Sequence, residues 1–173
     1  MDPASTMQIV ALVVLIILSA FFSGTETAFT SFNKTRMKTL AQDGNKKAKA
    51  VMKIDDRYEK FLSTMLVGNN IVNITATTIS TIVFAKFLKD DATLAATVST
   101  VVMTVVVLIF GEITPKNICR DRAESYTMST AGIVRFTMVV LTPLTAVFSL
   151  IVPAISALLL LNLFYLYIVI LIL

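Results

Sequence analysis

The sequence predicts an all-α integral membrane domain with three transmembrane helices, and three observations carry that prediction. The 173-residue chain is 56% hydrophobic and only 15% charged, with a mean hydropathy of +0.83, whereas soluble domains carry about a quarter charged residues. Uncharged apolar stretches of bilayer-spanning length recur along it. The charges that remain are gathered into short segments between those stretches.

Met1 to Thr6 (MDPAST) reads as a cloning scar and stands outside the expected fold, which covers residues 7–161. The first span is expected from about Met7 to Phe29. Its opening resembles a signal-peptide core, but it lacks a basic start and a small-x-small cleavage site, so it is read as a retained span. A polar segment from Asn33 to Lys60 follows, with nine Lys/Arg and four Asp/Glu. Gly44 with Asn45 divides it into two short helix-compatible pieces, a cytosolic juxtamembrane helical hairpin. The second span covers about Phe61 to Ala85. After the turn Lys86 to Asp91, the third covers about Ala92 to Ile113 and ends in GEITPK.

Orientation follows from the loops. The Asn33–Lys60 segment and the stretch after Lys116 are basic, and the Lys86–Asp91 turn is neutral. The positive-inside rule then puts the N-terminus outside and both basic segments in the cytoplasm. The last apolar region, Tyr126 to Leu173, carries one charge, Arg135, followed by 38 uncharged residues. Pro143 and Pro153 would bend a helix there. It either lies as a bent belt helix along the inner interface or crosses again in its last part; the belt is the expectation, with residues 162–173 an apolar tail.

Composition also excludes functions. The single cysteine, Cys119, rules out a disulfide within one chain, and the absence of histidine removes a Ser-His-Asp triad and argues against zinc. No nucleophile–base pair is visible, so an enzyme is not expected. The net charge of +4 lies beside apolar spans rather than among exposed aromatics, which points to membrane lipid and not to nucleic acid.

Of the eleven acidic residues, only Glu26 and Glu112 lie in apolar surroundings. A carboxylate at membrane depth costs several kcal/mol unless paired, protonated or bound to a cation; the plain alternative is that each snorkels to water from a helix end. Ser19, Ser23, Glu26 and Thr30 share one helical face, and Gly24 lets a second backbone approach. In the second span Asn69, Asn73 and Ser80 form a polar stripe joined by Thr77, and Gly68 permits a break that frees carbonyls. Ordinary helix–helix packing is the alternative for both stripes. In the third span Pro115 cannot donate a backbone hydrogen bond, so a carbonyl near Gly111 is free beside Glu112. A Glu112–Lys116 pair at a helix terminator is the alternative there. The candidate donors are all oxygens, which suits Mg²⁺, Ca²⁺ or Na⁺.

Three of these segments carry a resemblance. FSGTETAF (Phe22 to Phe29), LVGNNIVN (Leu66 to Asn73) and FGEITPKN (Phe110 to Asn117) resemble, in order and context, the membrane domain of the CNNM/CorC magnesium-transporter family. The resemblance spans roughly Met7 to Arg122. It implies a homodimer in the plasma (inner) membrane, three crossings per subunit, an outside N-terminus and a cytosolic helical belt. It also implies Na⁺-linked Mg²⁺ export, with the ion held by Ser23, Ser63 or Thr64, Asn69, Asn73 and Glu112, and with Gly111 offering a carbonyl. The family's cytosolic CBS-domain pair does not follow in this chain, which is therefore expected to be part of a longer protein. The tail from Asn162 (NLFYLYIVILIL) also departs from the family's polar linker. A cation-sensing membrane anchor that does not transport is the alternative function.

Overall fold

The computed structural model describes residues 3–88 and 91–147. Every regular element among them is helical, in the order α1 (Pro3–Ser31), α2 (Lys34–Gln42), α3 (Lys46–Asp55), α4 (Tyr58–Phe87), α5 (Ala92–Val106), a π-helical segment (Val107–Ile113), α6 (Thr114–Asp121) and α7 (Ala123–Val140). Three helical stretches are long and apolar enough to cross a membrane: Pro3–Ser31, Tyr58–Phe87 and the composite Ala92–Asp121. At about 1.5 Å per residue each exceeds the ~30 Å hydrocarbon core, so their ends reach the headgroup region. The helix of the first span begins at Pro3 and runs on without interruption.

α1 and α4 are antiparallel. Lys86 Nζ reaches Ser5 and Gln8 at one end, and the Phe29 and Phe61 rings lie 4.6 Å apart at the other. The third span runs parallel to α1, with Gly111 against Ser19 and Gly24 against Pro115 and Cys119. α5 returns beside α4, where Ser99 Oγ donates to Ser80 Oγ at 2.9 Å and Thr81 Oγ1 donates to Ser99 Oγ at 3.2 Å.

The third span does not stop where the sequence reading puts it. Its helix continues past Pro115 to Asp121, because Pro115 sits in the first turn of α6, where a missing N–H costs little. The preceding turns are widened into π geometry, and the Thr114 N–H bonds five residues back to the Ile109 carbonyl.

The hairpin forms as the Gly44–Asn45 break predicts. Gly44 takes φ +95°, a left-handed conformation that glycine adopts without cost. Its N–H bonds to the Ala41 carbonyl, and the Asn45 N–H bonds to that of Leu40, closing a Schellman motif. Asn33 and Asn45 cap α2 and α3 through their side-chain oxygens. Met37, Ala48, Val51 and Ile54 bury the hairpin's apolar face in the same core as Ala131, Val134 and Met138 of α7. Lys34 of α2 pairs with Asp55 of α3 at 2.8 Å, tying the two arms of the hairpin together, and lies over the Tyr58 ring. The hydrogen bond to Asp55 holds its ammonium pKa above the ordinary lysine range. Arg36 pairs with Glu124 of α7 at 2.9 Å.

α7 ends at Val140, the chain turns at Leu141, and a helical turn resumes at 142–147 around Pro143. That bend is the one expected at Pro143. Pro153 and the expected tail at 162–173 lie outside the described residues.

Candidate cation site

The three spans meet at small residues. A Cβ on Gly68 would run into the ring of Phe22, one on Gly24 would stand 2.6 Å from Sγ of Cys119, and one on Gly111 2.8 Å from Oγ of Ser19. The hydrogen atom at each position is therefore what lets α1 seat against both neighbours. Gly68 lies within the continuous helix α4; its role is close packing, and the backbone break expected there is not formed.

At one level of the bundle this close approach brings two polar side chains and a bare stretch of backbone together. Ser19 Oγ donates to Asn69 Oδ1 at 3.1 Å, and the same hydroxyl packs on Gly111 in the π segment. One residue from each span thus meets at a single point. Ser19 is fully buried. Asn69 Oδ1 has a second lone pair and can accept a hydrogen bond while facing a cation.

One turn away on either side lies a buried oxygen with no hydrogen-bond partner among the described residues: Oγ of Ser23 on α1 and Oδ1 of Asn73 on α4. Side chains on a helix tilt toward its N-terminus. The tilt shifts every side chain of a helix alike, so on antiparallel α1 and α4 Ser23 and Asn73 each stay about one turn from the Ser19–Asn69 level, on opposite sides of it. An unsatisfied buried polar atom costs about 1–3 kcal/mol. Ser23 Oγ and Asn73 Oδ1, flanking a polar junction, are therefore candidate oxygen donors to a ligand there.

The other sequence-predicted residues are placed as follows. Glu112 adjoins Gly111 and is half-buried; no ion pair joins it to Lys116, which is also half-buried, so the helix-terminator pair is not formed. Glu26 is half-buried on α1. Counting along α1 from the Ser19–Gly111 contact, it lies roughly 9 Å further along the bundle than Glu112. The two carboxylates therefore occupy different levels. Thr64 is buried and donates to the Lys60 carbonyl at 2.7 Å, which occupies its hydroxyl hydrogen within its own helix. Ser63 is half-buried one turn or more below Asn69. Pro115 packs on Gly24, and in removing its N–H it leaves without a partner the carbonyl of Gly111 in α register, or of Phe110 in π register.

Ser19 is the residue that motif comparison misses. FSGTETAF begins after it, yet the i, i+4, i+7, i+11 stripe on the first span includes it. The described residues hold no group of three or more His, Cys, Asp or Glu side chains able to bind a metal. A site here draws on hydroxyl, amide and backbone oxygens with one carboxylate, the donor chemistry of hard cations.

Comparison with known proteins agrees with this architecture. The profile of the cyclin M transmembrane N-terminal domain matches residues 10–161. A UPF0053 protein of Haemophilus influenzae is 37% identical over 142 residues, covering 82% of this chain and 33% of its own length. The UPF0053 inner membrane protein YfjD of Escherichia coli is 43% identical over 101 residues, 58% of this chain and 23% of that protein. A polyamine export protein of Haemophilus influenzae is 27% identical over 146 residues, 79% of this chain and 34% of that protein. The chain thus spans about a third or less of the length of these relatives. With a matched profile across most of its length and three membrane-spanning helices in the expected order, the chain belongs to the CNNM/CorC family and carries its transmembrane domain.

Proposed function

We propose that this chain is the membrane domain of a Mg²⁺ exporter, not an enzyme, and that it takes its ion at the Ser19–Asn69–Gly111 junction. The observation that carries the reading is the pair of partnerless buried oxygens, Ser23 Oγ and Asn73 Oδ1, flanking that junction. Glu112 supplies the negative charge, Gly111 a carbonyl, and Asn69 and Asn73 their amide oxygens. Mg²⁺ dehydrates reluctantly, so few carboxylates and several neutral oxygens suit an ion that must leave again. Na⁺ is the proposed coupling ion, since the same hard donors accept it in exchange.

The exporter is proposed to sit in the inner membrane, N-terminus outside, as a homodimer. Asn70 favours a protein-covered face: it is exposed beside Leu66 and Ile74 on α4, an expensive position for an amide in lipid. Cytosolic CBS-type domains are expected partners in the full-length protein.

A second cargo has its own support. The relative named as a polyamine export protein, and two half-buried carboxylates at levels roughly 9 Å apart, suit an elongated cation with two ammonium groups. The experiment is flux from proteoliposomes containing this chain, loaded with Mg²⁺ or spermidine, under an imposed Na⁺ gradient. Na⁺-driven Mg²⁺ movement that is lost in Glu112→Gln is expected. Spermidine movement without Mg²⁺ movement would transfer the assignment to polyamines. Mg²⁺ binding with no flux of either cargo would leave a sensing anchor in place of a transporter.

A further inference from the structure

A second polar cavity lies away from the span junction, at the ends of the helices. It has a volume of about 440 Å³ between the end of α3, the start of α4 and the C-terminal part of α7. Lys53, Arg57, Lys60 and Arg135 line it, opposed by a single carboxylate, Asp56. The two ion pairs among the described residues are Lys34–Asp55 and Arg36–Glu124, so none of the four cations is neutralised by a carboxylate of the fold. Four cations gathered around one cavity repel each other, and an anion that entered would relieve that repulsion.

Two neighbouring features add to the case. α4 begins at this cavity with Arg57 in its N-cap position, and no side chain caps its first N–H groups. The positive end of a long helix dipole therefore adds to the field. On the α7 side, Val139 lines the cavity, and Ile133, Phe136, Val139 and Val140 are all exposed apolar residues. A soluble anion has no use for that apolar face. A phosphate that brings acyl chains with it does.

We propose that this cavity binds the phosphate headgroup of an anionic lipid, whose chains run along the exposed apolar residues of α7. Arg57 and Arg135 offer forked donors to the phosphate oxygens. Lys53 and Lys60 supply charge at the rim. The site holds α7 and the hairpin to the membrane surface, and it is separate from the cation junction.

The test is titration of the purified chain in detergent, read by melting temperature and by native mass spectrometry, with phosphatidylglycerol, phosphatidylcholine or inorganic phosphate. Phosphatidylglycerol is expected to bind and to raise the melting temperature. Arg57→Gln/Arg135→Gln should weaken its apparent affinity about 30-fold, at ~1 kcal/mol for each basic residue near a phosphate surface. Lys47→Gln/Lys49→Gln, which removes the same charge from exposed positions on α3, should leave the affinity unchanged. Lys53→Gln/Lys60→Gln should weaken binding in the same direction and serves if the arginine pair does not fold. Equal losses in the pocket and control pairs would overturn the site in favour of diffuse charge. Phosphatidylcholine binding as tightly as phosphatidylglycerol, or millimolar inorganic phosphate producing the same stabilisation by itself, would overturn the lipid assignment.

Discussion

Ser19 of α1 donates to Asn69 of α4 across 3.1 Å while packing on the bare backbone of Gly111. This one hydroxyl touches both of the other spans. Ser19→Ala removes a buried hydrogen bond and is expected to cost about 1 kcal/mol. Gly111→Ala places a methyl group 2.8 Å from Ser19 Oγ and forces the spans apart. Both variants should weaken Mg²⁺ binding in calorimetry, Gly111→Ala more strongly. Wild-type affinity in a folded Gly111→Ala protein would separate the junction from the ion.

Much of this fold is legible in the residues. The Gly44–Asn45 break and the Pro143 bend follow from local chemistry that tertiary context does not override. The π segment is not legible, because the run before Gly111 is apolar at nearly every position and offers no periodicity to mark a change of pitch. Pro115 misleads for a related reason. A proline reads as a helix end, yet after a π segment it sits comfortably at a helix start. Glu26 and Glu112 both fall near the same ends of their spans in sequence, and only the Ser19–Gly111 register shows that they lie at different levels.

Gly68 and Phe22 make a packing contact that admits no side chain. A Cβ at Gly68 would meet three ring atoms of Phe22 within 3.0 Å, and that ring is itself buried. Gly68→Ala is therefore expected to lower stability by about 1–3 kcal/mol. Phe22→Leu in the same chain should recover part of the loss. A melting temperature unaffected by Gly68→Ala would show that α1 and α4 have room to slide.

The Lys34–Asp55 pair makes a pH prediction. Its hydrogen bond raises the folded-state lysine pKa, so its contribution is fully present below the ordinary lysine pKa and is lost as pH rises through the higher folded value. The lysine side chain is 61% exposed, which limits the contribution to under ~1 kcal/mol. The stability difference between wild type and Lys34→Gln should hold constant from pH 7 to 9 and close at higher pH. A difference that grew in that range would contradict the pairing.

The two carboxylates should separate functionally. Glu112 adjoins the junction and Glu26 lies beyond it, so Glu112→Gln should abolish Mg²⁺ binding while the protein stays folded. A neutral amide cannot offset a divalent cation in a low-dielectric site. Glu26→Gln should retain measurable binding. Calorimetry showing the reverse order would move the ion two turns along α1, toward Cys119.

Ser23 and Asn73 give the sharpest test, because packing and ion binding predict different outcomes for them. Without an ion, both oxygens are buried and unpartnered, so Ser23→Ala and Asn73→Leu remove an unmet polar group and should leave the melting temperature of the ion-free protein unchanged or raised. With an ion, the same substitutions remove ligands. Mg²⁺ stabilises whatever state it binds by RT ln(1 + [L]/Kd), about 2.7 kcal/mol at a hundredfold excess over Kd. Wild type should therefore gain thermal stability on Mg²⁺ addition and lose it on chelation, while each variant responds weakly and the double variant not at all. If both variants keep the full Mg²⁺-dependent shift, the two oxygens are packing defects and the ion binds elsewhere.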